Sequence, residues 1–455
     1  MTAHLLSVAL SSLLLAAAAV AQEPDPTKRP EHLEAGASCT ARCHQERVQA
    51  AFVHKPGAEG KCTECHKQAK PTDHAFAAID DVNELCLKCH KVPAAAVVHA
   101  PFEGSECTTC HDSHQSAVKS LLVSRDEQSL CFTCHEKIKA ALATKHPHGP
   151  ATQGCSTCHL PHASEQPKLL RAEPAEACLK CHEELGKTLE DAEVVHAPLM
   201  LTCTPCHDPH GTDLPRSLKQ EQPALCFGCH KPLAEALAAS TSPHGALASE
   251  KRCLTCHFVH SSQIPGLLQK PSGELCADCH DKPQPRAGGG PPVAPIAAEV
   301  RSHKLPHAPA KEKHCVQCHK PHVSANPKLL GHAYPQRFYA PYSAAAYELC
   351  LGCHEPKAFA EAKSTATGFR NGDRNLHVVH VGDKEKGRTC RACHEIHGGD
   401  NNKHVATTVR FGDWQLPIAW EQLPSGGRCA PGCHKPQAYD RDAPPPEAPK
   451  QQPPR

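Results

Sequence analysis

The chain has 455 residues, 49 Lys and Arg against 48 Asp and Glu, 37 His and 30 Cys, and only 4% aromatic residues. So few aromatics at this length exclude the large side-chain core that a domain of this size ordinarily buries. The near-neutral balance excludes a strongly basic nucleic-acid binder.

The first element is an apolar, alanine-rich run from Leu5 to Ala21, after which the chain turns polar at Gln22. It reads as a cleavable signal peptide over 1–21, too short for a membrane span, and implies export. Beyond it the cysteines dominate. Every one of the 30 belongs to a closely spaced pair followed at once by histidine. The first pair is Cys39-TAR-Cys43-His44, with three intervening residues. Regular two-residue spacings follow at Cys62/Cys65/His66, Cys86/Cys89/His90, Cys107/Cys110/His111, Cys131/Cys134/His135 and Cys155/Cys158/His159. They continue at Cys178/Cys181/His182, Cys203/Cys206/His207, Cys226/Cys229/His230, Cys253/Cys256/His257 and Cys276/Cys279/His280. The last are Cys315/Cys318/His319, Cys350/Cys353/His354, Cys390/Cys393/His394 and a second three-residue variant, Cys429-APG-Cys433-His434.

Cys-x-x-Cys-His is the attachment signature of haem c: two thiols add across the porphyrin vinyls, and the adjacent imidazole reaches the iron. Structural zinc needs two cysteine pairs per ion and has no use for a histidine fixed beside each. A disulfide scaffold leaves the histidines unexplained. The pattern therefore predicts about fifteen covalently attached haems, with the porphyrins as the core. Short helices and coil should wrap them with very little β-structure, and the apo chain should be disordered. Two propionates per haem would make the loaded protein acidic, against nucleic acid as a partner.

Motifs of two kinds alternate. One has a histidine upstream and another three residues beyond the motif histidine, as in His99-APFEGSE-Cys107-TT-Cys110-His111-DS-His114; the other follows a leucine-rich approach, as in Ser129-Leu130-Cys131-FT-Cys134-His135. First cysteines at 107, 155, 203 and 253 give a period near 48, the mark of tandem two-haem modules. The regular array is read over 22–282 and a Pro/Gly-rich linker or excursion over 283–310. A looser four-haem region follows over 311–437, then a disordered Pro-rich tail over 438–455.

Each low-spin haem needs a sixth ligand. Apart from Met1 the only methionine is Met200, so histidine must supply it. The upstream candidates are His32, His54, His99, His148, His196, His244, His307 and His380; the downstream ones are His74, His114, His162, His210, His260, His322 and His397. His146, His303 and His377 compete with near neighbours, and His314, His332 and His404 are spare. A ring three residues past one proximal ligand should reach the next haem in the row. Trp414 and Trp420, just before the last motif, either pack its haem or form a contact with a partner.

The CHxPH form at His159-LP-His162, His207-DP-His210 and His319-KP-His322 resembles the doubled-CXXCH multihaem cytochromes, over most of the chain from about His32 to His434. That family includes the periplasmic decahaem conduits that sit inside an outer-membrane β-barrel. The resemblance implies proximal motif histidines, distal upstream and trailing ones, and electron transfer along a continuous haem row. It further implies redox proteins at both ends, with a barrel or further copies of the chain as possible partners, at the periplasm, the outer membrane or outside the cell. Fifteen motifs, two CxxxCH ends and the widened second half depart from it. A multihaem reductase with one open iron is the enzymatic alternative; no CxxCK replacement marks such a site.

Overall fold

The computed structural model describes residues 32–443 apart from 35, 92, 105, 241, 242, 287 and 288. The expected signal peptide and the tail beyond Ala443 lie outside the described residues. Two compact units emerge, one ending at Glu173 and one beginning at Pro174, a division that falls inside the array read from the sequence as 22–282.

Short helices and coil make up most of both units. The longest described helices, Lys231–Ala239 and Ser272–His280, have nine residues. Leucine-rich approaches become helices that run into the motif: Asp81 caps Val82–Leu87 by accepting from the amides of Asn83 and Glu84, and Asp126 caps Glu127–Cys131 through Ser129 N–H. Each regular motif closes as a single turn. His66, His90 and His111, for example, return their N–H to the carbonyl of the first cysteine at 2.9–3.0 Å, which brings two thiols and one imidazole together. The first variant absorbs its extra residue in the same way, with His44 N–H bonded to the Cys39 carbonyl at 3.0 Å. The last does not: Cys429 ends the strand Gly426–Cys429.

Two-residue strands tie one repeat to the next. Phe52–Val53 pairs antiparallel with Gln115–Ser116, Val97–Val98 with Ala163–Ser164, Val194–Val195 with Ser261–Ser262, and Leu305–Pro306 with Gly398–Gly399. At Gly398, with φ of +153°, a Cβ would lie 2.7 Å from Pro306 Cα. Gly398→Ala is therefore expected to destabilise the protein by about 1–3 kcal/mol; an unchanged melting temperature would show that this close approach is dispensable.

Side chains alone form little core. Among described residues before Leu330, the only buried hydrophobics are Ala163 and Ala172. Later, Leu330, Tyr334 and Tyr347 form one cluster, and Ala406, Val409 and Ile418 a second against which Trp420 packs. All five tyrosines and both tryptophans fall between 334 and 439. Among the described residues, strands longer than two residues are confined there too: a hairpin of Thr408–Phe411 with Trp414–Pro417, and a three-stranded sheet of Trp420–Leu423, Gly426–Cys429 and Gln437–Asp440. The last strand corrects the boundary set at 438 for a disordered tail; pairing with Gly426–Cys429 orders it. Trp414 stays 68% exposed, whereas Trp420 donates from Nε1 to the Tyr439 hydroxyl at 3.3 Å.

Candidate haem-binding sites

Imidazoles face one another across thirteen of the sites. In the first unit His44 opposes His74, His54 opposes His90, His66 opposes His114, His99 opposes His135 and His111 opposes His162, with ring centroids 5.9–6.2 Å apart. In the second, His196 opposes His230, His207 His260, His244 His280 and His257 His322, at 5.8–6.3 Å. His307 with His354, His319 with His397, His377 with His394 and His380 with His434 span 6.3–6.5 Å. Metal–imidazole bonds of about 2.0 Å on either side of one ion put centroids about 6 Å apart, so the residues fit an iron between each pair. Among the described residues no group of three or more His, Cys, Asp or Glu is arranged to hold a bare metal ion.

The trailing histidines do not reach forward. His114, His162, His260, His322 and His397 face the motif two earlier, as His114 does His66, while His54, His99, His196, His244, His307 and His380 pass over the nearest motif to the next, as His54 does to His90. The two crossing residues are themselves joined. His54 N–H bonds the His114 carbonyl at 2.7 Å, His99 that of His162 at 2.9 Å, His196 that of His260 at 2.9 Å, His244 that of His322 at 3.0 Å and His307 that of His397 at 3.1 Å.

One expected position differs. His32 lies beside Asp73, Nδ1 to Oδ1 3.6 Å, with its side chain 80% exposed. His377, read as a mere competitor of His380, faces His394 instead. Both sit on the helix Leu376–Val381, capped by Asn375, one turn apart and thus on one face. Burial pushes His377 down to about 4, as it does His397; both rings stay neutral, the form that can ligate. His303, read as a competitor of His307, and the spare His314 and His332 lie beside Asp400, Glu312 and Glu348 at 3.7, 3.3 and 3.2 Å.

A recurring turn, not noticed in the sequence, fixes the proximal rings. Nδ1 of His111 meets the carbonyl of Ser120 at 2.7 Å; His159, His207, His257, His319 and His394 meet Lys168, Arg216, Gly266, Lys328 and Lys403 at 2.8–2.9 Å. Each acceptor has a left-handed φ between 56° and 74°. With Nδ1–H donating there, Nε2 is left to face a metal. Distal rings are held alike, His54 Nδ1 on Ser113 O at 3.0 Å and His99 Nδ1 on Pro161 O at 2.9 Å. The signal was present as a Lys, Arg, Ser or Gly nine residues after the motif histidine.

Attachment thiols of successive motifs lie side by side. Cys39 neighbours Cys62, Cys86 neighbours Cys107 and Cys131 neighbours Cys155 in the first unit. In the second, Cys178 neighbours Cys203, Cys226 neighbours Cys253, Cys276 neighbours Cys315 and Cys350 neighbours Cys390. The intervening steps bring Cys65 near Cys86, Cys110 near Cys134, Cys206 near Cys229, Cys256 near Cys279, Cys318 near Cys353 and Cys393 near Cys429. Within each unit, then, every attachment point neighbours the next. Tyr334 reinforces one step, its hydroxyl bonded to the Cys390 thiol and accepting the Arg391 amide at 3.0 Å.

Cys89 and Cys158 are the second cysteines of their motifs, and Cys89 is exposed, as are Cys134, Cys229, Cys279, Cys353 and Cys433. Cys158 is half-buried and belongs to the last motif of the first unit, so its successor motif falls in the second. Neither departs from its own motif turn: Cys89 N–H returns to the Cys86 carbonyl at 3.1 Å and Cys158 N–H to that of Cys155 at 3.2 Å. Cys43 and Cys181 are likewise exposed second cysteines.

No curated protein matches the chain. The family profile for the doubled CXXCH motif matches six times, at residues 54–95, 99–140, 148–187, 196–235, 244–285 and 307–359. Five of these copies have both of their motif histidines in the opposed pairs above. With more than half its length in such repeats, the chain belongs to the doubled-CXXCH family of multihaem c-type cytochromes.

Proposed function

We propose that this cytochrome conducts electrons along a row of fifteen haems c, each with two histidine ligands. The single observation that carries the reading is the opposed imidazole pair, thirteen times at the separation one iron requires. Motif histidines are the proximal ligands. The distal ones are His54, His74, His99, His114, His162, His196, His244, His260, His307, His322, His377, His380 and His397, with His148 and His210 assigned by sequence position. Haem iron supplies a one-electron Fe(III)/Fe(II) couple; the protein sets ligand identity, spacing and burial. Filling both axial positions leaves no iron for substrate, which favours a carrier over a reductase. The contiguous attachment thiols support a row that runs through each unit.

Redox proteins would exchange electrons at the two ends. Among described residues no helix is long and apolar enough to cross a membrane; a location in the periplasm or at the outer membrane follows from the apolar leader and from where haem c is attached. Copies of the chain joined end to end form the alternative arrangement.

The ligand assignment is tested by spectroscopy of the ferric protein. His377→Ala is expected to convert one low-spin haem to a high-spin, carbon monoxide-reactive one, and His32→Ala to leave the spectrum unchanged. The opposite result would restore His32 and remove His377; high-spin haem in the unsubstituted protein would favour the reductase.

A further inference from the structure

Residue ten after the proximal histidine is left-handed in six places: Leu121, Leu169, Ser217, Leu267, Leu329 and His404, with φ between 52° and 59°. In all six its carbonyl accepts the N–H of the residue after that histidine, from Asp112, Leu160, Asp208, Phe258, Lys320 and Glu395, at 2.7–2.9 Å. The backbone role is thus common and the side chain is free to vary. Four copies place leucine there and one serine, whereas the last places an imidazole. The His404 ring stands edge-to-face on His307, centroids 5.6 Å apart at 69°, and its Nδ1 is buried with no hydrogen-bond partner. His307 is the proposed distal ligand opposite His354, the last haem within the six family repeats. The next motif, His394, lies beyond them.

We infer that His404 is a positioning residue that lowers the potential of the haem between His307 and His354, at the junction with the two haems that follow the last repeat. It rests on the bis-histidine reading. A ferric bis-imidazole haem carries one more positive charge than the ferrous form, and a polar ring against the ligand stabilises that charge better than an aliphatic one. A leucine at this point, as elsewhere in the array, would leave the oxidised state less well solvated.

The test is a redox titration of the holoprotein followed optically and by electron paramagnetic resonance. His404→Leu is expected to raise the midpoint potential of one haem and to alter one low-spin signal, with the others superimposable on the unsubstituted protein. His404→Asn, which keeps a polar group, should return the potential toward its original value. Leu329→His makes the reciprocal change in the preceding repeat and should lower one potential there. A titration unchanged in both His404→Leu and Leu329→His overturns the inference, as does His404→Asn shifting as far as His404→Leu, which would make ring packing the cause. Failure of the bis-histidine reading shows differently, as high-spin haem before any substitution.

Discussion

Made without haem attachment, the chain is expected to lose its cooperative thermal transition entirely. Before Leu330 the described residues bury no hydrophobic side chain larger than alanine; apolar burial is the main term that offsets chain entropy, and the chain alone supplies almost none. What holds the repeats without a cofactor is a set of two-residue strand pairs, far below the size at which a sheet is stable alone. Circular dichroism and hydrogen exchange on the apo chain check this. Residual protection is expected only around the sheet of Trp420–Leu423, Gly426–Cys429 and Gln437–Asp440 and the cluster of Ala406, Val409 and Ile418. A melting curve like that of the holoprotein would show that porphyrin is not the core.

The second large effect is expected from one missing haem in the middle of the row. Cys226 adjoins Cys253 and Cys229 adjoins Cys206, so the attachment point of the haem at His230 neighbours both adjacent motifs. Cys226→Ala with Cys229→Ala should lower electron transfer through the second unit by orders of magnitude, because the remaining centres then face each other across a haem-sized gap. The same double change at Cys429 and Cys433 should leave transfer among the preceding haems intact and impair only exchange at that end. Rapid reduction of a terminal haem followed by time-resolved spectroscopy distinguishes the two. Equal rates in both variants would mean that electrons do not pass in sequence from motif to motif.

Much of this was legible because the chemistry is written contiguously: thiols and proximal imidazole must be adjacent, so Cys62, Cys65 and His66 are recognised without a fold. Distal ligands are different. His114 and His66 are 48 residues apart, and only the pairing of Phe52–Val53 with Gln115–Ser116 reveals which ring meets which. Reading each trailing histidine as reaching the next haem supposed a local row; the chain instead crosses back over two motifs. His377 was set against His380 because the two lie one turn apart before the same motif, yet they face different motif histidines, His394 and His434. The left-handed turns at Lys168 or Lys328 escaped notice because lysine carries no conformational signal of its own, unlike the glycine at 266. The terminal sheet was not foreseen, and its central strand carries Gly426 and Gly427, residues of low strand propensity.

The backward crossing also imposes an order on biogenesis. On the proposed export and ligation, the chain emerges from its N-terminus, and the haem on His66 cannot gain His114 until two further motifs have been delivered. Each newly loaded repeat supplies the ligand that finishes its predecessor, so completion travels toward the C-terminus like a zip. A chain truncated after any repeat would end in one unfinished, five-coordinate iron, open to peroxide and exogenous ligands. On the same ligation that vulnerability ends at the Leu376–Val381 helix, where His377 faces His394 and His380 faces His434 from a single turn of backbone.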